Sequence, residues 1–312
     1  MSEPIPRVFH FVFGLKPQTE PFHLAFYLCL ESCRQVNRPE GIWFHYEHEP
    51  FGPYWDLIKP HLTLNRVSPV PQVSLLHYDD PSVKRLYSYA HHADFIRLEQ
   101  LLEHGGVYAD MDTLFVNPIP ETLWRHDFVL GREDPVKDER TGEMRASICN
   151  ALIMSRPRAE FGTIWLREMP AALDGVRWTN HSCQLANEIW ERHPHLVHVE
   201  PARTFYKHMW TPEGLRVLFE GLDSDFSGVA SMHLWSHLWW SRWRRDFVTF
   251  HAGSMTEHHV RTVDTTYNVA ARPFLPTRGV ISLLTHLRAS VEGVMRRARR
   301  LFARAPRRSA TA

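Results

Sequence analysis

The chain reads as an α/β protein, with a mostly parallel central sheet flanked by helices. Three observations predict this. Short apolar runs with strand composition alternate with longer stretches of helical period, the pattern of strand–helix–strand units. With 44% hydrophobic and 12% aromatic residues in 312, the chain can bury a substantial core as one large domain or two small ones. Finally, its best-patterned helix runs into a double glycine and a short strand, which ends a helix and restarts the chain in a sheet.

Residues Arg7–Gly14 form a first buried strand, and a helix follows from about Pro21 to Val36. Cys29 and Cys33 lie one turn apart in that helix, with no second metal-binding pair. Together with Cys149 and Cys183 they are too few for a disulfide scaffold, so buried thiols in a reducing compartment are expected. Ile42–Tyr46 is a second strand. A stretch carrying Pro69, Pro71 and Pro81 leads to a helix over Ser88–Glu103. At about 100° per residue, His92, Glu99 and Glu103 share a polar face, while Ala90, Phe95, Leu98, Leu101 and Leu102 form an apolar arc. Asp94 falls in the middle of that arc and Arg97 at its edge. A carboxylate on a buried face requires a partner or a ligand. The blander alternative is an Asp94–Arg97 pair on the solvent face, stabilising the helix by a few tenths of a kcal/mol.

After Gly105-Gly106 a short strand ends in Asp110-x-Asp112. Strand alternation puts both carboxylates on one face, roughly 6.5–7 Å apart at Cα. Such a pair can face one hard divalent cation, which prefers oxygen ligands. Further strands are expected over Asp127–Gly131 and Ser147–Met154. Helices are expected over about Arg158–Leu173, Ser182–Arg192 and Pro212–Glu220, before a Trp-rich segment, Met232–Trp240.

This organisation gives a main domain over residues 1–277 and a basic tail over 278–312. The tail holds nine Arg against one Glu, a net of +8, so the rest carries 1 − 8 = −7. Val291–Arg304 reads as a basic amphipathic helix, suited to an anionic membrane surface or to a solvated end. The acidic body argues against nucleic acid as a partner. The first residues show no signal-peptide pattern and no run reaches a membrane span. The expected location is therefore cytoplasmic, with peripheral contact on the inner face of the membrane.

Asp94-x-x-Arg97, Leu101 and Gly105-Gly106-x-Tyr108-x-Asp110-x-Asp112 together resemble the signature of the DXD-containing sugar transferases. These comprise glycosyltransferase family 32 and relatives, among them initiating mannosyltransferases and an α-1,4-galactosyltransferase. The core match spans about residues 88–115. Phe9–Gly14 resembles the family's first strand, and Ser231–Trp235 its C-terminal His-x-Trp element. The resemblance implies a GT-A type nucleotide-sugar-binding fold, Mn²⁺ or Mg²⁺, and a UDP-hexose or GDP-mannose donor. It also implies retention of configuration and a glycan, glycolipid or polysaccharide acceptor.

Carried over residue by residue, it makes Asp112 a metal ligand and puts Asp110 on the metal or the donor ribose. His233 would complete the metal shell. Asp94, Arg97 and Tyr108 would serve the donor's sugar and diphosphate, and Phe13 stands where the family often has a Trp stacked on the base. Asn150 resembles a family Asn near the acceptor side. The family's Thr-Gly-Pro-like element is absent; Trp178-Thr179-Asn180-His181-Ser182 stands there instead, with Gln184 nearby.

The chemistry needs these residue types. A nucleoside diphosphate leaves well only when its developing charge is neutralised, as by a carboxylate-held cation. Arg97 can add a fixed, forked positive charge, and acceleration also comes from holding an acceptor hydroxyl near the anomeric carbon. No Ser-His-Asp set or glycosidase-like carboxylate pair is legible, so nucleophile and base stay unassigned. Two alternatives remain. Ala109–Leu114 also resembles the loop of haloacid-dehalogenase-type phosphatases, although it lies about 110 residues in and leaves Asp94 and Arg97 unexplained. The other is an inactive nucleotide-sugar-binding protein. His251 competes with His233 as third ligand, whereas Glu257-His258-His259 reads as surface. His10 and the late tryptophans (Trp235, Trp239, Trp240, Trp243) read as core.

Overall fold

The computed structural model describes residues 3–137, 142–176, 179–278 and 281–303. Nine strands are described: β1 Val8–Val12, β2 Gly41–Tyr46, β3 Thr63–Arg66, β4 Gly106–Ala109, β5 Thr113–Phe115, β6 Phe128–Lys137, β7 Met144–Ser155, β8 His198–Glu200 and β9 Ser231–His233. The helices used below are α1 Leu24–Asn37, α2 Pro81–His104, α3 Glu160–Ala172, α4 Leu185–Arg192, α5 Pro212–Phe219 and α6 Leu283–Ala303.

Seven strands make the main sheet in the order β3-β2-β1-β4-β7-β6-β8, as the alternating strand and helix signals predict. All its pairings are parallel except those of β7, which runs against both β4 and β6. The sheet thus changes character beside β4. In open α/β sheets the crevice at the strand carboxyl ends, near such a switch, is where ligands bind. One buried cluster on the sheet joins Phe9, Phe11 and Phe44 to α1, β5 and β9, and another joins Leu98 and Leu101 of α2 to Trp165 of α3.

The double glycine has a steric cause. Both residues have positive φ, +68° and +113°, which side chains disfavour. A Cβ on Gly106 would also lie 2.4 Å from the Val8 carbonyl oxygen of the neighbouring strand. The predicted core roles of His10, Trp235 and Trp239 hold. His10 is fully buried, with Nδ1 3.0 Å from His45 Nε2 and Nε2 2.9 Å from the Gly105 carbonyl oxygen. Trp243, by contrast, is largely exposed.

Three expectations need correction. The Asp-x-Asp does not lie within a strand: β4 stops at Ala109, and Thr113 N–H donates to the Asp110 carbonyl across a turn. The chain turns there because β5 leaves the main sheet to pair with β9 in a separate two-stranded ladder. Alternation along one strand therefore does not explain how the two carboxylates meet. The helix before them is longer than expected and begins at Pro81. The helix expected from Ser182 begins at Leu185, after an irregular turn over Asn180–Gln184 in which Ser182 has non-helical φ −104° and ψ −106°. Trp178 and Arg304 lie outside the described residues. Among the described residues, no helix is long and apolar enough to cross a membrane.

Candidate active site

Two carboxylate clusters meet at the end of β4. The first is built on α2. Asp94 is buried, and its Oδ1 lies 3.0 Å from Arg97 Nη2 and accepts from Asn150 Nδ2 at 2.9 Å. Its Oδ2 lies 3.0 Å from His181 Nε2. Burial alone would raise this carboxyl; Arg97 and His181 outweigh it and hold Asp94 below the usual aspartate range. The expected i,i+3 pair with Arg97 therefore exists, but in the interior rather than on the solvent face. Arg97 donates through Nη1 to the Asn150 carbonyl at 2.7 Å, and its guanidinium lies 4.4 Å from the centre of the Tyr108 ring.

The second cluster is Asp110, Asp112 and His233. Among the described residues it is the one group of three or more His, Cys, Asp or Glu whose ligand atoms converge, all within 4.8 Å of one another. Each aspartate uses one oxygen as an anchor. Asp110 Oδ1 accepts from the Tyr108 hydroxyl at 2.5 Å and lies 3.4 Å from Arg97. Asp112 Oδ2 accepts from Ser236 N–H at 2.7 Å. The other oxygen of each turns toward His233 Nε2, at 3.5 Å from Asp110 Oδ2 and 3.1 Å from Asp112 Oδ1. The imidazole is close to both carboxylates, yet neither of its buried nitrogens makes an aligned hydrogen bond. Burial lowers a histidine pKa, but here Asp112 and Asp110 win and raise His233 to about 10. Asp112, despite its own burial, is held well below its ordinary value by His233 and Ser236.

Local structure explains how a residue so far along the chain arrives. His233 pairs with Thr113 in the β5–β9 ladder, directly after the Asp110–Asp112 turn. Trp235 then adopts left-handed backbone, φ +53°, which brings the Ser236 N–H back onto Asp112. His251 is not part of the convergent group.

The structure brings Asp94, Arg97, Tyr108, Asp110, Asp112, Asn150 and His233 into this linked pair of clusters. Phe13 belongs to an aromatic group. Its ring packs against Phe22, Phe26 and Phe44, with centroids 4.7–6.2 Å away, and remains half-buried.

Sequence reasoning missed several neighbours. His181 was noted only as occupying a missing family element, and its fully buried ring is a partner of Asp94. Lys16 lies 4.5 Å over the ring of Tyr89, a tyrosine whose hydroxyl is raised by burial and by Asp112 and Asp110. Glu133, accepting from Ser147 Oγ at 2.5 Å, is pushed up to about 7 by burial, which Ser147 and Trp210 only partly oppose. No spacing rule links these residues to the motif. A lysine shortly after the first strand was the one available signal.

Residues 55–129 match the family described as glycosyltransferase sugar-binding region containing DXD motif. A protein named Glucan organizing enzyme 1, from Cryptococcus neoformans var. grubii, is 31% identical over 280 residues, which is 87% of this chain and 71% of that protein. Among solved structures, the PaToxG glycosyltransferase is similar with a TM-score of 0.41 at 13% identity, over 62% of this chain and 71% of that one. The catalytic domain of alpha-toxin from Clostridium novyi gives 0.33 at 10% identity, over 55% and 58%. Likenesses this distant bear on none of the chemistry. The phosphatase alternative has no support beside the family match. The chain belongs to the DXD-containing sugar transferase family and is a glycosyltransferase of mixed α/β architecture with a mostly parallel central sheet.

Proposed function

We propose that this enzyme is a metal-dependent, retaining hexosyltransferase. Its donor is a UDP-hexose or GDP-mannose, and its acceptor is a hydroxyl of a glycan, glycolipid or polysaccharide. One observation carries the metal reading: Asp110 and Asp112 each commit one oxygen to an anchor and turn the other toward an imidazole that has no aligned partner. Two carboxylate oxygens and one imidazole nitrogen suit Mn²⁺ or Mg²⁺, with further positions left for donor oxygens. When bound, such a cation acts as a Lewis acid on the donor diphosphate.

The chain's own residues do the positioning. Arg97 is held by Asp94 on one side and the Asn150 carbonyl on the other, so its charge stays fixed beside Asp110 without reorganising. Tyr108 fixes the rotamer of Asp110, and the Ser236 N–H fixes that of Asp112. Asp94 enters the donor contacts through Arg97 and Asn150. Lys16 adds an exposed cation on the Tyr89 side for the donor phosphates. Phe13 contributes to the base site only through its exposed fraction, since three phenylalanines already hold its ring.

Residues 1–277 form the catalytic domain in this reading, and 278–312 a tail in peripheral contact with an anionic membrane. Four free cysteines suit the reducing cytoplasm.

The test is donor hydrolysis by the purified protein across UDP-hexoses and GDP-mannose, with Mn²⁺, with Mg²⁺ and with chelator. The expected result is slow release of UDP or GDP from one donor, abolished by chelator, with the α-anomeric sugar retained in the first product by NMR. Absence of both turnover and metal-dependent donor binding would overturn the reading.

A further inference from the structure

Helix α6 is docked with its apolar side outward. Its contacts with the body run along a narrow strip. Ala289 is buried, and a Cβ on Gly293 would lie 2.9 Å from the Thr19 carbonyl oxygen. Arg296 lies 3.8 Å over the Phe51 ring, and Arg297 pairs with Glu20 at 2.8 Å. Small and basic residues therefore hold the helix against the domain.

On the other side Leu284, Leu287, Val291, Val294 and Met295 are each more than half exposed, with Leu283 and Leu301 extending the stripe to both ends. At about 100° per residue all seven fall within an arc of roughly 120°. Arg288 and Arg299 border that arc on one edge and Arg297 on the other. The stripe exposes several hundred Å² of apolar surface, more than scattered surface residues account for.

We infer that this outward face of α6 binds an anionic bilayer surface, with its leucines and valines in the acyl boundary and its bordering arginines at the headgroups. This rests on the transferase reading for its purpose, which is to bring the donor site to a lipid-linked acceptor. Charge decides among occupants. Residues 278–312 carry nine Arg and one Glu, so a second copy of the helix would set arginines against arginines, while anionic lipid neutralises them. An apolar stripe edged by arginines, whose stems lie along it while their charged heads reach out, is the arrangement an interfacial helix needs. Beneath the helix, on its docked side, a cleft of about 690 Å³ gathers Arg66, Arg296, Arg299 and Arg300 against Glu47 and Glu49, which adds to the positive charge of this end of the molecule. At the C-terminal half, Arg300 acts on Lys16, which burial first and Arg300 second lower and which stacks on Tyr89.

The experiment is co-sedimentation of the full chain with phosphatidylcholine vesicles and with vesicles containing phosphatidylglycerol, at low and high salt. Leu287→Asp/Val294→Asp tests the stripe and Arg288→Gln/Arg299→Gln its border. All four positions are exposed, and donor hydrolysis in solution checks that each variant is folded. Binding is expected to be selective for anionic vesicles and weakened by salt. The apolar double variant should lose about a hundredfold in partitioning, and the arginine double variant about thirtyfold. Equal failure of the unaltered chain to bind either vesicle overturns the inference. So does a concentration-dependent dimer that the apolar variant abolishes, which would assign the face to a second copy. Hydrolysis without vesicle binding would leave the transferase reading standing alone, and vesicle binding without hydrolysis would do the reverse.

Discussion

Asp94 and the Asp110–Asp112 pair lie a few ångströms apart and differ in one respect. Both oxygens of Asp94 are taken by Arg97, Asn150 and His181, whereas Asp110 and Asp112 each keep one oxygen turned to a shared point. The first carboxylate is balanced on both oxygens; in the second pair Arg97 reaches only Asp110, and the oxygens left over share one protonated imidazole. A buried carboxylate with all its partners in place belongs to the scaffold, and one with a partner left over is prepared for a ligand.

Substitution should separate the two. Asp112→Asn is expected to lower donor hydrolysis by at least about a hundredfold and to remove Mn²⁺ binding in calorimetry. In the metal-free protein it also takes the first counter-charge from His233, so its cost in urea stability should shrink as pH rises from 6.5 towards about 10, where the imidazole becomes neutral. Asp94→Ala leaves Arg97 buried without its nearest counter-charge and should cost about 3–5 kcal/mol in the same unfolding experiment. The Asp94→Ala loss should persist over that pH range, and a parallel decline in both variants would erase the distinction.

A pH series sharpens it. His233 is raised from 6.5 to about 10, so its pairing with Asp112 stabilises the metal-free fold fully below pH 6.5 and is lost as pH rises through about 10. A cation needs the imidazole neutral and must expel that proton. Mn²⁺ affinity should therefore rise about tenfold per pH unit between neutrality and pH 9, with close to one proton released in buffers of different ionisation enthalpy. An affinity flat over that range would remove His233 from the ligand set.

The smallest effect is expected at Glu133, a third carboxylate with neither kind of balance. Its pKa is raised to about 7, so the folded state holds a proton that the unfolded chain releases near 4.5. The unaltered protein thus loses stability as pH rises through 7, and Glu133→Gln does not. The Tm of the variant should exceed that of the parent by a few degrees at pH 8 and match it below pH 4.5.

Much of the first cluster was legible because it is local. Asp94 and Arg97 share an apolar helical arc, and the double glycine announces where the helix must stop, so period and turn chemistry locate both. Asp110 and Asp112 do converge, but not by the geometry that strand alternation predicts. Alternation along a strand assumes that the strand continues, and here the chain leaves the sheet at Ala109 to pair with β9. His233 came from resemblance and not from periodicity, because nothing in the intervening residues encodes a three-residue ladder. His181 and Glu133 were illegible for the same reason: their roles exist only after α4 and the β6–β7 hairpin have packed against the site. Phe13 shows the converse. Its position matches a motif, and its half-buried ring also packs against three other phenylalanines, a neighbourhood that no spacing rule announces.

The β5–β9 ladder also has a consequence for the order of assembly. Asp112 and Ser236 are 124 residues apart, and residues 55–129 hold both aspartates but not Asn150, His181 or His233. Contacts of such sequence separation close a long loop and form slowly compared with local helices. A nascent chain released before β9 would thus carry the complete motif with only two of its three converging ligands, and gain the third when its C-terminal third docks.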